Sequence, residues 1–284
     1  MKVTPLFTAG LLLGTVASGL LPLRSALAAD LHWSYTRDSF NDGYGGGILG
    51  AQSAYEIYGA GVAQDSGYLY FAFNANMPLT GTFVPGVSDS NVGWGDLLLN
   101  FTGQSLLSAS SSGNLYGIRF AATNDSGVTG TGVWQGVTAT SVTSTNSGFN
   151  SLSSYNNAVL GAGGIPSLGA FAADDTTYFD QTAAVLNVMA TGTKVGEITL
   201  LTQEVLTSQG LNFATIGATG SQTIGFKVSK ADLPTGNFIA SLFMECANDG
   251  VALQSAAVPE PTTMAGLALA GGGLTLLKRR RQRQ

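Results

Sequence analysis

The sequence predicts an all-β body, and three observations predict it. Apolar residues recur at period two, or in short unbroken runs, over stretches of strand length bounded by Gly, Asn, Asp, Ser and Pro. Charged residues make up 10% of the chain, and glycine 39 of its 284 residues, against roughly 25% and ~7% in an average soluble domain. That balance suits a secreted β protein better than a cytosolic enzyme. Helical periodicity is scarce. A single β-sandwich or jelly-roll-like domain over 29–257 accounts for the pattern. Segments of different character flank it at 1–28 and 258–284.

The strand-like stretches follow in order. LHWSYT (31–36) alternates, with Trp33 and Tyr35 on one face. AYEIYGAGV (54–62) and YLYFAFNAN (68–76) flank AQDSG, a hairpin turn in which Gly67 is free to take a positive φ. DLLLNF (96–101) and LYGIRFAAT (115–123) are separated by the turn-rich TGQSLLSASSSGN. GVWQGVTATSVT (132–143) is a long Thr- and Val-rich strand. AAVLNVMA (183–190) and KVGEITLLT (194–202) flank a TGT turn. QTIGFKVS (222–229) and FIASLFMECA (238–247) flank KADLPTGN, and VALQSA (251–256) makes a last strand. TQEVLTSQG (202–210) allows two helical turns ending at Gly210. The Gly/Ser/Asn stretch from Asn146 to Gly169 reads as a long surface loop, or as a linker between two smaller domains.

Charge narrows the partners. Between Ala29 and Val258 stand five basic residues, Arg37, Arg119, Lys194, Lys227 and Lys230, against sixteen acidic ones. No basic patch is available to neutralise phosphates, so no nucleic acid is expected as partner. Cations, or neutral polymers such as extracellular polysaccharide, fit better. The single cysteine, Cys246, excludes a disulfide within the chain and reads as a small buried side chain on a strand.

Both ends carry processing patterns. Lys2, the apolar run Leu6–Leu20 and Ala26-Leu27-Ala28 form a signal peptide, to be cut by signal peptidase between Ala28 and Ala29. An uncleaved amphipathic anchor is the alternative. At the other end, Met264–Leu277 is 14 residues without a charge. As a helix it would span about 21 Å, short of the ~30 Å hydrocarbon core. Gly266, Gly271, Gly272 and Gly273 weaken it further. The basic Lys278, Arg279, Arg280 and Arg281 behind it act as a stop and favour the cytoplasmic side. In front of it, Val258-Pro259-Glu260-Pro261 is a stiff extended corner, because both prolines lack an N–H and fix φ. The segment halts in a membrane but holds weakly.

This three-part tail of about 27 residues closely resembles the PEP-CTERM sorting signal of bacteria, a motif also filed as an ice-binding-protein C-terminal motif. The resemblance implies an exosortase-type membrane enzyme that processes the chain at or near Val258, Pro259, Glu260 and Pro261. It implies export, transient anchoring in the inner membrane, then delivery to the cell surface or extracellular matrix. An ordinary tail anchor is the plainer alternative. In the body, DSFNDGYGGG, YEIYG, NVGWGDLLLNF, GIRFAATNDSG and ECANDG are similar to landmarks of cyanobacterial exosortase-dependent surface proteins. The hairpin YEIYGAGVAQDSGYLYFAFNAN also resembles those of carbohydrate-binding sandwiches.

Chemistry-bearing residues are few. Any Ser-His-Asp or Cys-His arrangement would have to use the one histidine, His32, which reads as a surface or edge residue. Zinc needs more His and Cys ligands than this chain has. Asp174, Asp175 and Asp180 are the carboxylates a secreted glycoside hydrolase would draw on. Asn-Asp-Gly occurs at 41–43 and 248–250, with a relative at Asn124-Asp125-Ser126-Gly127. Turn chemistry explains it, with Gly supplying positive φ. Calcium also explains it, because it takes six to eight oxygens, and Asp38, Asn41, Asp42 and Asp249 offer ligands for a structural Ca²⁺ site. The pattern is not an EF-hand, since Phe40 and Leu49 stand where ligands belong. Trp33, Trp94 and Trp134 can stack on sugars, but their strand context favours core packing. The alternating threonines of 129–147 lack the repeat that an ice-binding face needs.

The expectation is an exported surface or matrix protein without catalytic activity, in a structural or interaction role with exopolysaccharide. A carbohydrate-binding module, with or without Ca²⁺, is the first alternative, and a secreted hydrolase the second.

Overall fold

The computed structural model describes residues 31–258. The sequence expectations for Ala26, Ala28 and Ala29, for Pro259, Glu260 and Pro261, and for Lys278, Arg279, Arg280 and Arg281 lie outside the described residues, and Val258 is the last one described. Strands dominate, with few helical turns between them. In chain order they are β1 (Ser34–Arg37), β2 (Tyr44–Gly45), β3 (Ile48–Leu49), β4 (Ile57–Gln64), β5 (Tyr68–Ala75), β6 (Thr82–Phe83), β7 (Asn91–Val92) and β8 (Leu97–Asn100). Helix α1 (Leu106–Ser111) precedes β9 (Leu115–Arg119) and β10 (Gly132–Thr140). Then come α2 (Leu152–Gly161), β11 (Val188–Gly196), β12 (Ile198–Leu201), α3 (Gln203–Ser208), β13 (Gln222–Ser229), β14 (Gly236–Phe243) and β15 (Gly250–Val258).

Two antiparallel sheets carry the body. One has five strands in the order β1-β4-β5-β13-β12, the other six in the order β11-β10-β9-β8-β14-β15. Their inner faces share one apolar core. Phe71 and Phe73 of β5 and Phe226 of β13 meet Phe120 and Phe238 from the second sheet's side. Phe120 stacks on Phe226 at 5.1 Å and on Phe73 at 6.0 Å, and Phe71 meets Phe238 edge-on at 6.1 Å. Ring pairs of this kind contribute about 0.5–1.5 kcal/mol each beyond the area they bury.

Strand β5 shows how the sequence produces this. Leu69, Phe71, Phe73 and Ala75 alternate onto the core face. Ala72 faces the other way, where Leu206, Leu211 and Phe213 from the α3 region cover it. Both faces are covered, so the strand reads as a nearly continuous apolar run. The β4–β5 hairpin forms as expected, but not through a positive φ at Gly67, which is not among the glycines of that kind. Asp65 closes the turn instead. Its Oδ1 accepts from Gly67 N at 2.8 Å and Tyr68 N at 2.7 Å, and its Oδ2 accepts from the Tyr70 hydroxyl at 2.8 Å.

Three sequence expectations are corrected. The 146–169 stretch is not a loop or a linker throughout, because α2 occupies its middle. Ser151 and Ser154 form a reciprocal capping box at its start. Leu152, Tyr155 and Val159 bury one face at helical spacing. The turn-rich stretch before β9 contains α1, capped by Ser105. TGT at 191–193 is not a turn but lies inside β11. A Cβ on Gly192 would stand 3.0 Å from Val137 Cγ2, so glycine lets β11 lie close against β10. The chain changes sheets after Gly196 instead. The Thr-rich β10 is bulged, with Gly136 at φ +62° between its register shifts, so its threonines form no flat array. Among the described residues, no helix is long and apolar enough to cross a membrane.

Candidate metal centre

Four carboxyls from three separate parts of the chain meet where β1, β4 and β15 begin or end. Asp38 follows β1 and Asp42 lies four residues on; Glu56 immediately precedes β4, and Asp249 immediately precedes β15. All four are buried: Asp38 is 2% exposed and the other three 0%. Carboxylate oxygens of Asp38, Asp42 and Asp249 lie within 4.8 Å of one another.

Each carboxyl is aimed by backbone. Asp38 Oδ1 accepts from Gly169 N at 3.1 Å, and Asp42 Oδ2 from Ser167 N at 2.7 Å. Glu56 Oε2 accepts from Gly43 N at 2.8 Å, and Asp249 Oδ2 from Ile57 N at 2.7 Å. Asp249 Oδ1 accepts from Gly250 N at 2.7 Å and from the Tyr155 hydroxyl at 3.3 Å; that hydroxyl also reaches Asp42 O at 3.1 Å. Three oxygens have no hydrogen-bond donor: Asp38 Oδ2, Asp42 Oδ1 and Glu56 Oε1. A buried carboxylate oxygen without a donor or a cation is unfavourable by several kcal/mol.

The electrostatics follow. Burial pushes the Asp38 and Glu56 carboxyls up to about 7 each. Burial, and then the charges of Asp38 and Glu56, push Asp42 up to about 9. Asp249 is raised well above the usual range by burial and by its three acidic neighbours. Four such groups need either protons or a positive ion.

Asn41, the other residue expected here, is exposed, and its amide nitrogen reaches only Gly163 O at 3.5 Å. Glu56 takes part instead. Its position before a strand gives no local hint of this; only the tertiary fold brings it to Asp42. The Asn-Asp-Gly glycines also work differently from the turn reading. Neither Gly43 nor Gly250 has a positive φ. Both are glycine for space: a Cβ on Gly43 would lie 2.5 Å from Glu56 Cα, and one on Gly250 2.0 Å from the Phe243 ring.

A second buried polar network lies alongside. Asp96 accepts from Asn124 Nδ2 at 2.8 Å, Ser126 Oγ at 2.6 Å and Met189 N at 2.7 Å. Arg119 donates to Asn124 Oδ1 at 2.7 Å and to three backbone carbonyls. Glu245 accepts from Gly93 N at 2.5 Å and from Asp125 N. The five sequence landmarks thus build two networks, and ECANDG joins both, through Glu245 and Asp249. Cys246, between them, is fully buried, and burial holds its thiol neutral.

The remaining candidates are dispersed. His32 is exposed. Trp94 is wholly buried and Trp134 is 8% exposed, while Trp33 is half-buried with its Nε1 on Gln209 O. Asp175 and Asp180 cap local turns: Asp175 accepts from Tyr178 N and Thr177 Oγ1, Asp180 from Thr182 N and Ala183 N. Asp174 is exposed beside them.

On the outer face of the five-stranded sheet, an open groove of about 620 Å³ runs between α3 and the end of the β5–β13 pair, where Asn74 lies opposite Thr223. Asn74, Gln203, Thr207, Asn212 and Thr223 line it, the Phe213 ring beneath them is buried, and the lining carries no charge. No protein-family model, curated protein or solved structure matches the chain.

Proposed function

We propose that the chain is an exported surface or matrix protein of a Gram-negative-type bacterium, carried out by its signal peptide and processed by an exosortase-type enzyme at its PEP-CTERM tail. Its body is a β-sandwich that acts by binding extracellular polysaccharide rather than by catalysis. The observation that carries the binding role is the uncharged groove between α3 and the first sheet. The exposed amide and hydroxyl side chains of Gln203, Thr207 and Asn212 suit a neutral sugar chain, which offers hydroxyls. The acidic body repels polyanions.

The hydrolase reading is less well supported. A general acid for glycoside cleavage has a raised pKa. Burial raises Asp175, but hydrogen bonds to its ionised form outweigh it, and hydrogen bonds likewise hold Asp180 down, so both lie below the usual carboxylate range.

The test is binding of the full chain to a panel of neutral and acidic glycans. Wild type should retain neutral polysaccharide, and Gln203→Ala with Thr207→Ala should weaken retention about tenfold or more. Equal retention by the double variant would reject the groove as the site.

A further inference from the structure

We propose that Asp38, Asp42 and Asp249, with Glu56 as a fourth carboxyl beside them, hold one calcium ion that fastens the start of the body to its last strand. The proposal does not depend on what the groove binds.

Geometry carries it. The three aspartates converge within 4.8 Å. Backbone N–H groups fix one oxygen of Asp38, Asp42 and Glu56, and the other oxygen of each is buried with no donor. The acids are therefore oriented before any ligand arrives. Preorganised, donor-free oxygens are what a hard cation needs.

No side chain of the body supplies the missing positive charge. Arg37 lies over the Phe40 ring at 4.4 Å, and Lys227 over the Tyr68 ring at 4.2 Å. Arg119 belongs to the Asp96 network, and Lys194 pairs with Glu197. Lys230 is held by Gln64 Oε1 and Asp65 O. All five basic residues of the body are thus engaged elsewhere.

The donor set selects the ion. The centre offers carboxylate oxygen, which suits a hard cation, and the one cysteine, Cys246, stays a neutral thiol. Magnesium keeps several waters and gives them up reluctantly. Side chains 0–2% exposed leave little room for a hydrated ion. Calcium accepts irregular sets of oxygens drawn from distant turns.

Because the site is buried, the full chain is refolded from denaturant in excess Ca²⁺ or in chelator, then desalted. Bound metal is measured by mass spectrometry, and thermal unfolding is followed with and without Ca²⁺. Wild type should carry one calcium per chain. At about a hundredfold excess over Kd it should melt roughly 5–10 °C higher than with chelator. Terbium in place of calcium should give emission sensitised by the adjacent Tyr155, and Tyr155→Phe should dim that emission while calcium stays bound. Asp42→Asn should fold, carry no calcium and melt at one temperature in both conditions. If Asp42→Asn fails to fold, Glu56→Gln takes its place, with weakened calcium binding expected. A wild-type chain that refolds in calcium without retaining any, and melts alike in both conditions, is a proton-sharing acid cluster, and the proposal is overturned. Stoichiometric calcium retained by Asp42→Asn, or undiminished binding by Glu56→Gln where that variant stands in, overturns it equally.

Discussion

Gly43 and Glu56 approach each other so closely that a β-carbon on the glycine would stand 2.5 Å from Glu56 Cα and 2.6 Å from its backbone nitrogen. The obstacle is backbone, not the end of a flexible side chain, so it cannot rotate away. The same approach brings Gly43 N onto Glu56 Oε2 at 2.8 Å. One glycine thus sets both the path of the 38–43 segment and the aim of a buried carboxyl.

Gly43→Ala should therefore destabilise the fold by about 1–3 kcal/mol or more, the range for overpacking a tight site. Gly46→Ala is the control for glycine replacement nearby. Gly46 has open space around it, although its φ of +60° adds a small backbone penalty. Urea unfolding of the two variants checks this, and equal midpoints would show that the 38–43 segment shifts freely.

Much of the fold was legible in the sequence. The alternation of Leu69, Phe71 and Phe73 marked a strand, and its partner β4 followed from the short turn between them. Legibility failed where composition masked periodicity. The serines and asparagines around α2 suggested a loop, although Leu152, Tyr155 and Val159 already carried helical spacing. The Asn-Asp-Gly triplets marked Asp42 and Asp249 as unusual. Glu56 stood within the YEIYG landmark, but nothing local marked it as a ligand, because its role arises only when β4 pairs beside β1. Turn statistics also misassigned the glycines: Gly43 and Gly250 serve close packing, which a sequence does not display.

The pH dependence of stability should carry the signature of Glu245. Burial, and then the charges of Asp125 and Asp89, push its carboxyl up to about 7 from an ordinary value of 4.5. The folded state then holds the proton more tightly than the unfolded state does. Stability from this group is complete below about 4.5 and is lost as pH rises through about 7. Glu245→Gln keeps the shape but cannot ionise. It should lie below or level with wild type at low pH, and the gap should close or reverse between about pH 4.5 and 7. Denaturant midpoints for both proteins in chelator, from about pH 4 to 8, give the difference curve. A curve without slope would show that Glu245 is not buried as a neutral acid.

The sorting proposal turns on a mismatch within the tail. Fourteen uncharged residues containing four glycines would be marginal for a bilayer, yet under the sorting proposal the basic cluster from Lys278 to Arg283 would fix their orientation. A permanent anchor has no need of a rigid, charged corner before it, whereas a processing enzyme needs a shape to read. Replacing Pro259, Glu260 and Pro261 with alanine should leave export intact, because the proposed signal peptide is untouched. It should strand an uncut precursor in the inner membrane, body outside and arginines inside. Deleting Lys278 to Gln284 should act differently, weakening the stop so that uncut chain slips through. The size and membrane fraction of the three versions, followed in a host that carries an exosortase-type enzyme, separate these outcomes. Trimming and delivery of the triple-alanine chain at the wild-type rate would mean that the corner is not a recognition element, and the sorting proposal would fall with it.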